Sequence, residues 1–109
     1  MEANNTFIKW SIGDIDKLFW YDQLYEAFRH MEWVSEWSIN FVGNNTEYFC
    51  ATVKDDEGDE YTFSSGDVLF YLQKAWWQGD RSFEEEQMVD QEVLDTMVQM
   101  IIYKELIYG

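Results

Sequence analysis

The sequence predicts an α+β domain in which a three-stranded antiparallel sheet carries helices on one face, in the order α-β-β-β-α-α. Three observations predict it. Residues 35–41 alternate strictly, with Trp37, Ile39 and Phe41 on one side and Glu36, Ser38 and Asn40 on the other. Two further strand-like runs follow, each separated from its neighbour by a turn signal. Ser-x-x-Asp and Ser-x-x-Glu spacings then mark helix starts before runs of helical periodicity. At 109 residues the chain suits one domain, residues 1–109, and no proline interrupts any element.

In chain order, Thr6-Phe7-Ile8-Lys9-Trp10 is short and apolar, fitting either a small strand or an arm packed on the core. Ser11 and Asp14 have capping-box spacing with Asp in place of Glu, which predicts a helix from there to about Glu32. Its apolar stripe would be Ile15, Leu18, Tyr21, Tyr25, Phe28 and Met31. The alternating strand comes next, and Gly43-Asn44-Asn45 suits a hairpin turn because these residues tolerate positive φ. Phe49, Ala51 and Val53 form the inward face of a second strand, leaving Tyr48, Cys50, Thr52 and Lys54 outward. After an acidic tip, Tyr61-Thr62-Phe63 makes a third strand. Ser64 and Asp67 open a helix to about Gln78, with Val68, Leu72, Ala75 and Trp76 inward and Gly79 beyond its end. Ser82 with Glu85 predicts the start of a last helix to about Leu106, with Val89, Val93, Met97, Met100 and Ile101 inward.

The chain carries 22 Asp and Glu against seven Lys and Arg, a formal net charge of −15, yet it is 47% hydrophobic and 19% aromatic. Acidic disordered segments lack that apolar content, so the composition describes a folded domain that tolerates its own repulsion. Direct binding to nucleic acid or to an acidic membrane needs a positive footprint, which seven cations do not supply. A basic protein surface fits better. Cys50 is the sole cysteine, which excludes an internal disulfide, and no Cys/His set has zinc-ligand spacing. Neither a signal-peptide pattern at the start nor an apolar run of spanning length is present, so the expected location is the cytoplasm, a host's if the chain is phage-encoded.

Catalytic readings find little support. His30 is the sole histidine, and no second imidazole or motif-bound nucleophile accompanies it. Cys50 bears no mark of a nucleophile. Carboxylate pairs are too abundant to single one out as glycosidase machinery. An EF-hand loop around Gly58 would require acids at positions held by Val53 and Ser64, so that metal motif fails. No phosphate-binding glycine loop occurs. The expected protein is therefore neither an enzyme nor a holder of a cofactor or metal.

The acids themselves are the stronger lead. Asp55, Asp56, Glu57, Asp59 and Glu60 cluster at one hairpin end. Asp80, Glu84, Glu85, Glu86, Asp90, Glu92 and Asp95 follow on a loop and the outer side of the last helix. Carboxylates fixed on a rigid surface can imitate duplex phosphates and engage arginines and lysines that otherwise hold nucleic acid. Charge complementarity speeds encounter and selects partners, while affinity needs buried anchors, for which Trp76, Trp77 and Tyr48 are candidates. A solubilising surface with no charge-specific partner is the plain alternative.

On these residues the chain resembles the small acidic inhibitors that mobile elements use against host nucleases, especially DNA-mimicking anti-CRISPR and anti-restriction proteins. The layout is similar to that of small Cas9 inhibitors occupying the site that reads the protospacer-adjacent motif. The likeness spans about Asp14 to Asp95 and rests on Val53-Lys54-Asp55-Asp56-Glu57-Gly58-Asp59-Glu60-Tyr61 and Asp80-Arg81-Ser82-Phe83-Glu84-Glu85-Glu86. It implies a non-catalytic protein that blocks DNA access to a nuclease effector. An immunity protein against a toxin nuclease, or an acidic subunit using an aromatic interface, are the other readings. The oligomeric state is left open.

Overall fold

A computed structural model describes residues 9–11, 13–43, 48–83 and 89–108. Among these, helix α1 spans Lys17–Phe28, strands β1, β2 and β3 span Val34–Phe41, Phe49–Asp55 and Glu60–Ser64, and helices α2 and α3 span Ser65–Trp77 and Gln91–Tyr103. The sheet is antiparallel in the order β1-β2-β3, so the fold is α+β. Lys9, Trp10 and Ser11 are also helical, which settles Lys9 and Trp10 against the strand option; Thr6, Phe7 and Ile8 lie outside the described residues.

That short helical stretch explains why α1 starts later than its spacing predicts. Gly13 adopts φ +86°, and the Gly13 and Asp14 N–H groups donate to Trp10 and Lys9 carbonyls at 3.0 Å. This 5→2 and 6→1 pairing is the Schellman helix end, which requires a left-handed residue that glycine supplies without a Cβ penalty. Ser11 therefore closes one helical stretch rather than opening the next. The N-cap of α1 is Asp16, whose side chain accepts the Phe19 N–H at 3.0 Å. The helix ends at Phe28, short of Glu32.

The buried side of α1 is Trp20, Leu24, Ala27 and Phe28. The stripe expected from spacing is thus rotated. Ile15, Phe28 and Met31 are buried and Tyr21 packs on the core, but Leu18 is 54% and Tyr25 43% exposed. Two apolar stripes run along this helix, and the one with the larger rings, Trp20 and Phe28, takes the core.

The strand phases match the expectation. Phe49, Ala51, Val53 and Ile39 are buried, and Trp37 and Phe41 pack against the core from the same side. Register pairs Trp37 with Val53, Ile39 with Ala51 and Phe41 with Phe49, while Ala51 faces Phe63 across the other ladder. On the opposite face Thr52 and Thr62 hydroxyls meet at 3.2 Å and Lys54 pairs with Glu36 at 3.0 Å. The helices cover the apolar face and leave this one polar and open. Asn44 and Asn45 of the first turn lie outside the described residues, as do residues 46 and 47.

Helix α2 begins as its spacing predicts. The Ser64 side chain accepts the Asp67 N–H and the Asp67 carboxylate accepts the Ser64 N–H, the reciprocal capping box. The buried Ser65 side-chain oxygen accepts the Phe49 N–H at 3.2 Å, tying β2 to the helix start. Val68, Leu72 and Ala75 are buried, and the Schellman pattern returns at Gly79. Helix α3 departs from expectation at both ends. It starts at Gln91 with Asp90 as N-cap rather than at Ser82, and Lys104 at φ +66° ends it before Leu106. Its buried positions are Leu94, Met97, Val98 and Gln99, with Val89 buried just ahead; Val93, Met100 and Ile101 are only half-buried. Val89 and Met97 are buried as the spacing predicts, while Leu94, Val98 and the polar Gln99 take the core positions expected for Val93, Met100 and Ile101.

Burying side chains such as Trp20, Leu24, Phe28, Phe49 and Leu72 contributes about 1.5–3 kcal/mol each, which sets this core against the charge repulsion. Most of the tryptophan content is structural: Trp10, Trp20 and Trp33 are buried and Trp37 and Trp76 half-buried.

Candidate functional site: two acidic ends of one helix

The acidic tip is an ordered hairpin loop. Gly58 N–H donates to the Asp55 carbonyl and Asp55 N–H to the Asp59 carbonyl, both at 3.0 Å, with Gly58 at φ +87°. That is a three-residue loop closed by a left-handed glycine, which leaves Asp56, Glu57, Asp59 and Glu60 exposed.

Asp55 departs from the expected surface role. It is 2% exposed, and its carboxylate is turned inward. Oδ1 accepts the Glu57 and Asp59 N–H groups at 3.0 Å, while Oδ2 accepts the Tyr103 hydroxyl at 2.6 Å. The Tyr103 hydrogen bond, aided by the loop N–H groups, holds its carboxyl below the usual range against the opposing effect of burial. Burial, and then Asp55 itself, push the Tyr103 phenol far above its ordinary value. Asp55 thus shapes the tip from beneath, and the presented charges are those of its neighbours. On the adjoining strand Lys54 is raised by its hydrogen bond and ion pair with Glu36, with Glu60 adding to it.

Tyr103 lies in the last turn of α3, so the tip sits at that helix's C-terminal end. At the other end Asp90 and Glu92 are exposed, and Asp80 and Glu92 line one shallow depression with Tyr71, Phe83 and Thr96. Tyr103 follows Glu92 by eleven positions, which is about 16 Å along the axis at 1.5 Å per residue. The structure therefore brings the acids into two zones flanking α3 and does not merge them. Asp95, between them, faces inward: it accepts the Trp33 indole N–H at 3.1 Å and the Gln99 amide at 2.6 Å. Asp80 is exposed and accepts the Ser82 N–H at 2.8 Å. Glu84, Glu85 and Glu86 lie outside the described residues.

The aromatic candidates separate. Trp77 is 76% exposed, and Tyr48 is also exposed. Trp76 is half-buried, edge-on to Trp10, with the Arg81 guanidinium 3.7 Å over its ring. Sequence reasoning missed Phe70, 67% exposed about two turns before Trp77 in the space between Ser11, Gln73 and Lys74. Its signal was available, since Phe70 falls outside the Val68-Leu72-Ala75 stripe. A groove of about 190 Å³ between α2 and α3 is lined by Phe70, Tyr71, Met100 and Ile101, with Asp67, Asp80, Lys74 and Lys104 at its rim.

Asp55, Glu57 and Asp59 could each direct one carboxylate oxygen to a common point, these atoms lying within 4.8 Å of one another. The Asp55 oxygens already accept three hydrogen bonds, so a cation there would displace donors that order the loop. His30 is exposed, 4.0 Å from Glu26, and Cys50 is a half-buried free thiol on the polar face of the sheet. Among the described residues no helix is long and apolar enough to cross a membrane.

Fold and surface together define an acidic α+β domain whose tip backbone is held by hydrogen bonds to Asp55. Compared with protein-family models, with curated proteins and with solved structures, the chain matches none.

Proposed function

We propose that the protein is a non-catalytic inhibitor that occupies the nucleic-acid-binding surface of a nuclease as a DNA mimic, in the manner of anti-CRISPR proteins that include Cas9-directed inhibitors. One observation carries this reading: Asp56, Glu57, Asp59 and Glu60 stand exposed on a loop whose geometry is held from below by the buried Asp55–Tyr103 bond. Charges held in fixed positions, as phosphates are along a duplex, suit a groove of arginines and lysines better than charges on a mobile tail do. A second zone, Asp90 and Glu92, lies toward the other end of α3, about 16 Å along its axis by helical rise, with Asp80 bordering both the Glu92 depression and the Met100–Lys104 groove. The implied partner is a basic nucleic-acid-binding protein, a nuclease effector in the cytoplasm of a host.

The exposed Phe70 and Trp77 favour one other reading, an acidic interaction subunit or an immunity protein docking through an aromatic face. Competition decides between them. Guide-loaded Cas9-type nucleases and toxin nucleases are titrated with the protein while binding of labelled target DNA is followed. A mimic excludes DNA in one-to-one stoichiometry; simultaneous binding of DNA and protein sinks the mimicry and leaves the aromatic interface.

A further inference from the structure

The exposed Leu18 and Tyr25 of α1 lie beside β1, an outer strand of the sheet. Among the described residues β1 pairs only with β2. The direction of its remaining backbone groups follows from the ladders. Val42 N–H donates to the Tyr48 carbonyl, and Asp55 N–H to the Asp59 carbonyl across the other ladder. With Phe41 opposite Phe49 and Lys54 opposite both Glu36 and Glu60, the alternation of antiparallel pairs points Glu36, Ser38 and Asn40 at β2. Trp37, Ile39 and Phe41 therefore direct their N–H and C=O groups at the open edge.

This edge has little to keep another strand away. Edges are normally blunted by charge, proline or bulges. Here an irregularity lies between Val34 and Glu36, and the regular stretch beyond it carries one charged side chain, Glu36, already paired with Lys54. Above the edge Tyr21 stacks on Phe41 at 4.6 Å and Tyr25 meets Trp37 edge-on at 5.0 Å, with Tyr25 and Leu18 exposed beside them.

We propose that this edge is a self-association surface, at which β1 of a second copy pairs antiparallel to form a six-stranded sheet with Leu18 and Tyr25 of the two α1 helices along the seam. The strand argues for a second copy: on a chain of net charge −15, its stretch from Glu36 to Val42 carries a single charge, already paired with Lys54, and the edge is self-complementary. A two-fold axis at Ile39 uses the whole regular stretch from Glu36 to Val42. It sets Trp37 opposite Phe41 of the second copy and Ser38 opposite Asn40. Glu36 then faces Val42, so no like charges meet between the two strands, while Asp22, exposed between Leu18 and Tyr25 on α1, adds a repulsion that salt screens. The remaining acids still repel at longer range, so association should strengthen with salt, the reverse of binding to a basic partner.

Sedimentation equilibrium up to about 1 mM protein tests this, at low salt and at about 0.5 M NaCl. The expected result is a species of twice the 13.2 kDa chain mass that grows with both concentration and salt. Val42 is 47% exposed, so charged substitutions there should leave the fold intact, as circular dichroism would verify. Val42→Glu, placed twice against Glu36, should weaken the dimer about tenfold, whereas Val42→Lys should hold or tighten it. Leu106→Glu and Leu106→Lys, at another exposed site, make the same two changes in net charge as the Val42 pair and should differ from each other much less. A monomer under all conditions overturns the proposal, as does a dimer that Val42→Glu and Val42→Lys affect no differently from the Leu106 pair.

Discussion

Replacing Tyr103 with Phe removes one hydroxyl and keeps the ring that packs on Trp33 and Tyr61. The lost bond is the 2.6 Å donation to the buried Asp55 carboxylate. Hydrogen bonds to charged groups contribute about 1.5–3 kcal/mol, and here the acceptor is left buried with only two loop N–H donors. Tyr103→Phe should therefore lower unfolding free energy by about 2 kcal/mol in urea titration, and Tm by roughly 10 °C for a domain of this size. Asp55→Asn with Tyr103→Phe completes a double-mutant cycle, with a coupling of about 1–2 kcal/mol expected. The pH dependence follows from the lowered Asp55 pKa. A carboxyl depressed in the folded state stabilises fully above its unfolded value, about 3.9, and that contribution is lost as pH falls through the folded value. The gap between wild type and Tyr103→Phe should thus narrow below about pH 4. A loss under about 0.5 kcal/mol, or additive single substitutions, would refute the view that this bond supports the tip.

Gln99 carries a second network: its Oε1 accepts the Ile107 and Tyr108 N–H groups and its Nε2 donates to Asp95 and the Tyr108 carbonyl. Gln99→Ala should release residues 107 and 108, speed their amide exchange and expose Trp33, on which Tyr108 stacks at 5.0 Å, with a fluorescence shift as readout. Ser64→Ala removes the α2 cap and should cost about 1 kcal/mol in thermal or urea unfolding. Gly58→Ala meets no atom within 4 Å, so its cost, about 1–2 kcal/mol, should come from the left-handed backbone alone; Gly58→Asn should recover part of it.

How legible the fold was varies with the kind of signal. Strand phase was readable because a period of two admits only two answers and Trp37, Ile39 and Phe41 agree on one. The α2 start was readable because its cap is local, Ser64 to Asp67. The α1 start was not, although Gly13 is as visible as Gly79: both end a helical stretch, but only Gly79 follows a clear apolar stripe. The α1 core face was hidden by a surplus of apolar residues, since Leu18 and Tyr25 keep helical spacing with Tyr21 while lying outside the core. At the candidate site, sequence places the acids near one another but cannot say which way each side chain turns. Asp55 and Asp95 turn inward because distant donors, Tyr103 and Trp33, wait for them 48 and 62 residues away.

The central claim is that exposed carboxylates of a rigid tip bind a basic groove in place of DNA. The direct measurement is the affinity for a captured nuclease of a variant carrying Asp56→Lys, Glu57→Lys and Asp59→Lys, with Asp55 left intact to hold the loop and Glu60 left intact opposite Lys54. The account predicts a fall in affinity of more than about tenfold and a weaker salt dependence, with unfolding free energy unchanged or raised as self-repulsion is relieved. Wild-type affinity in that variant, with DNA still displaced, would contradict it.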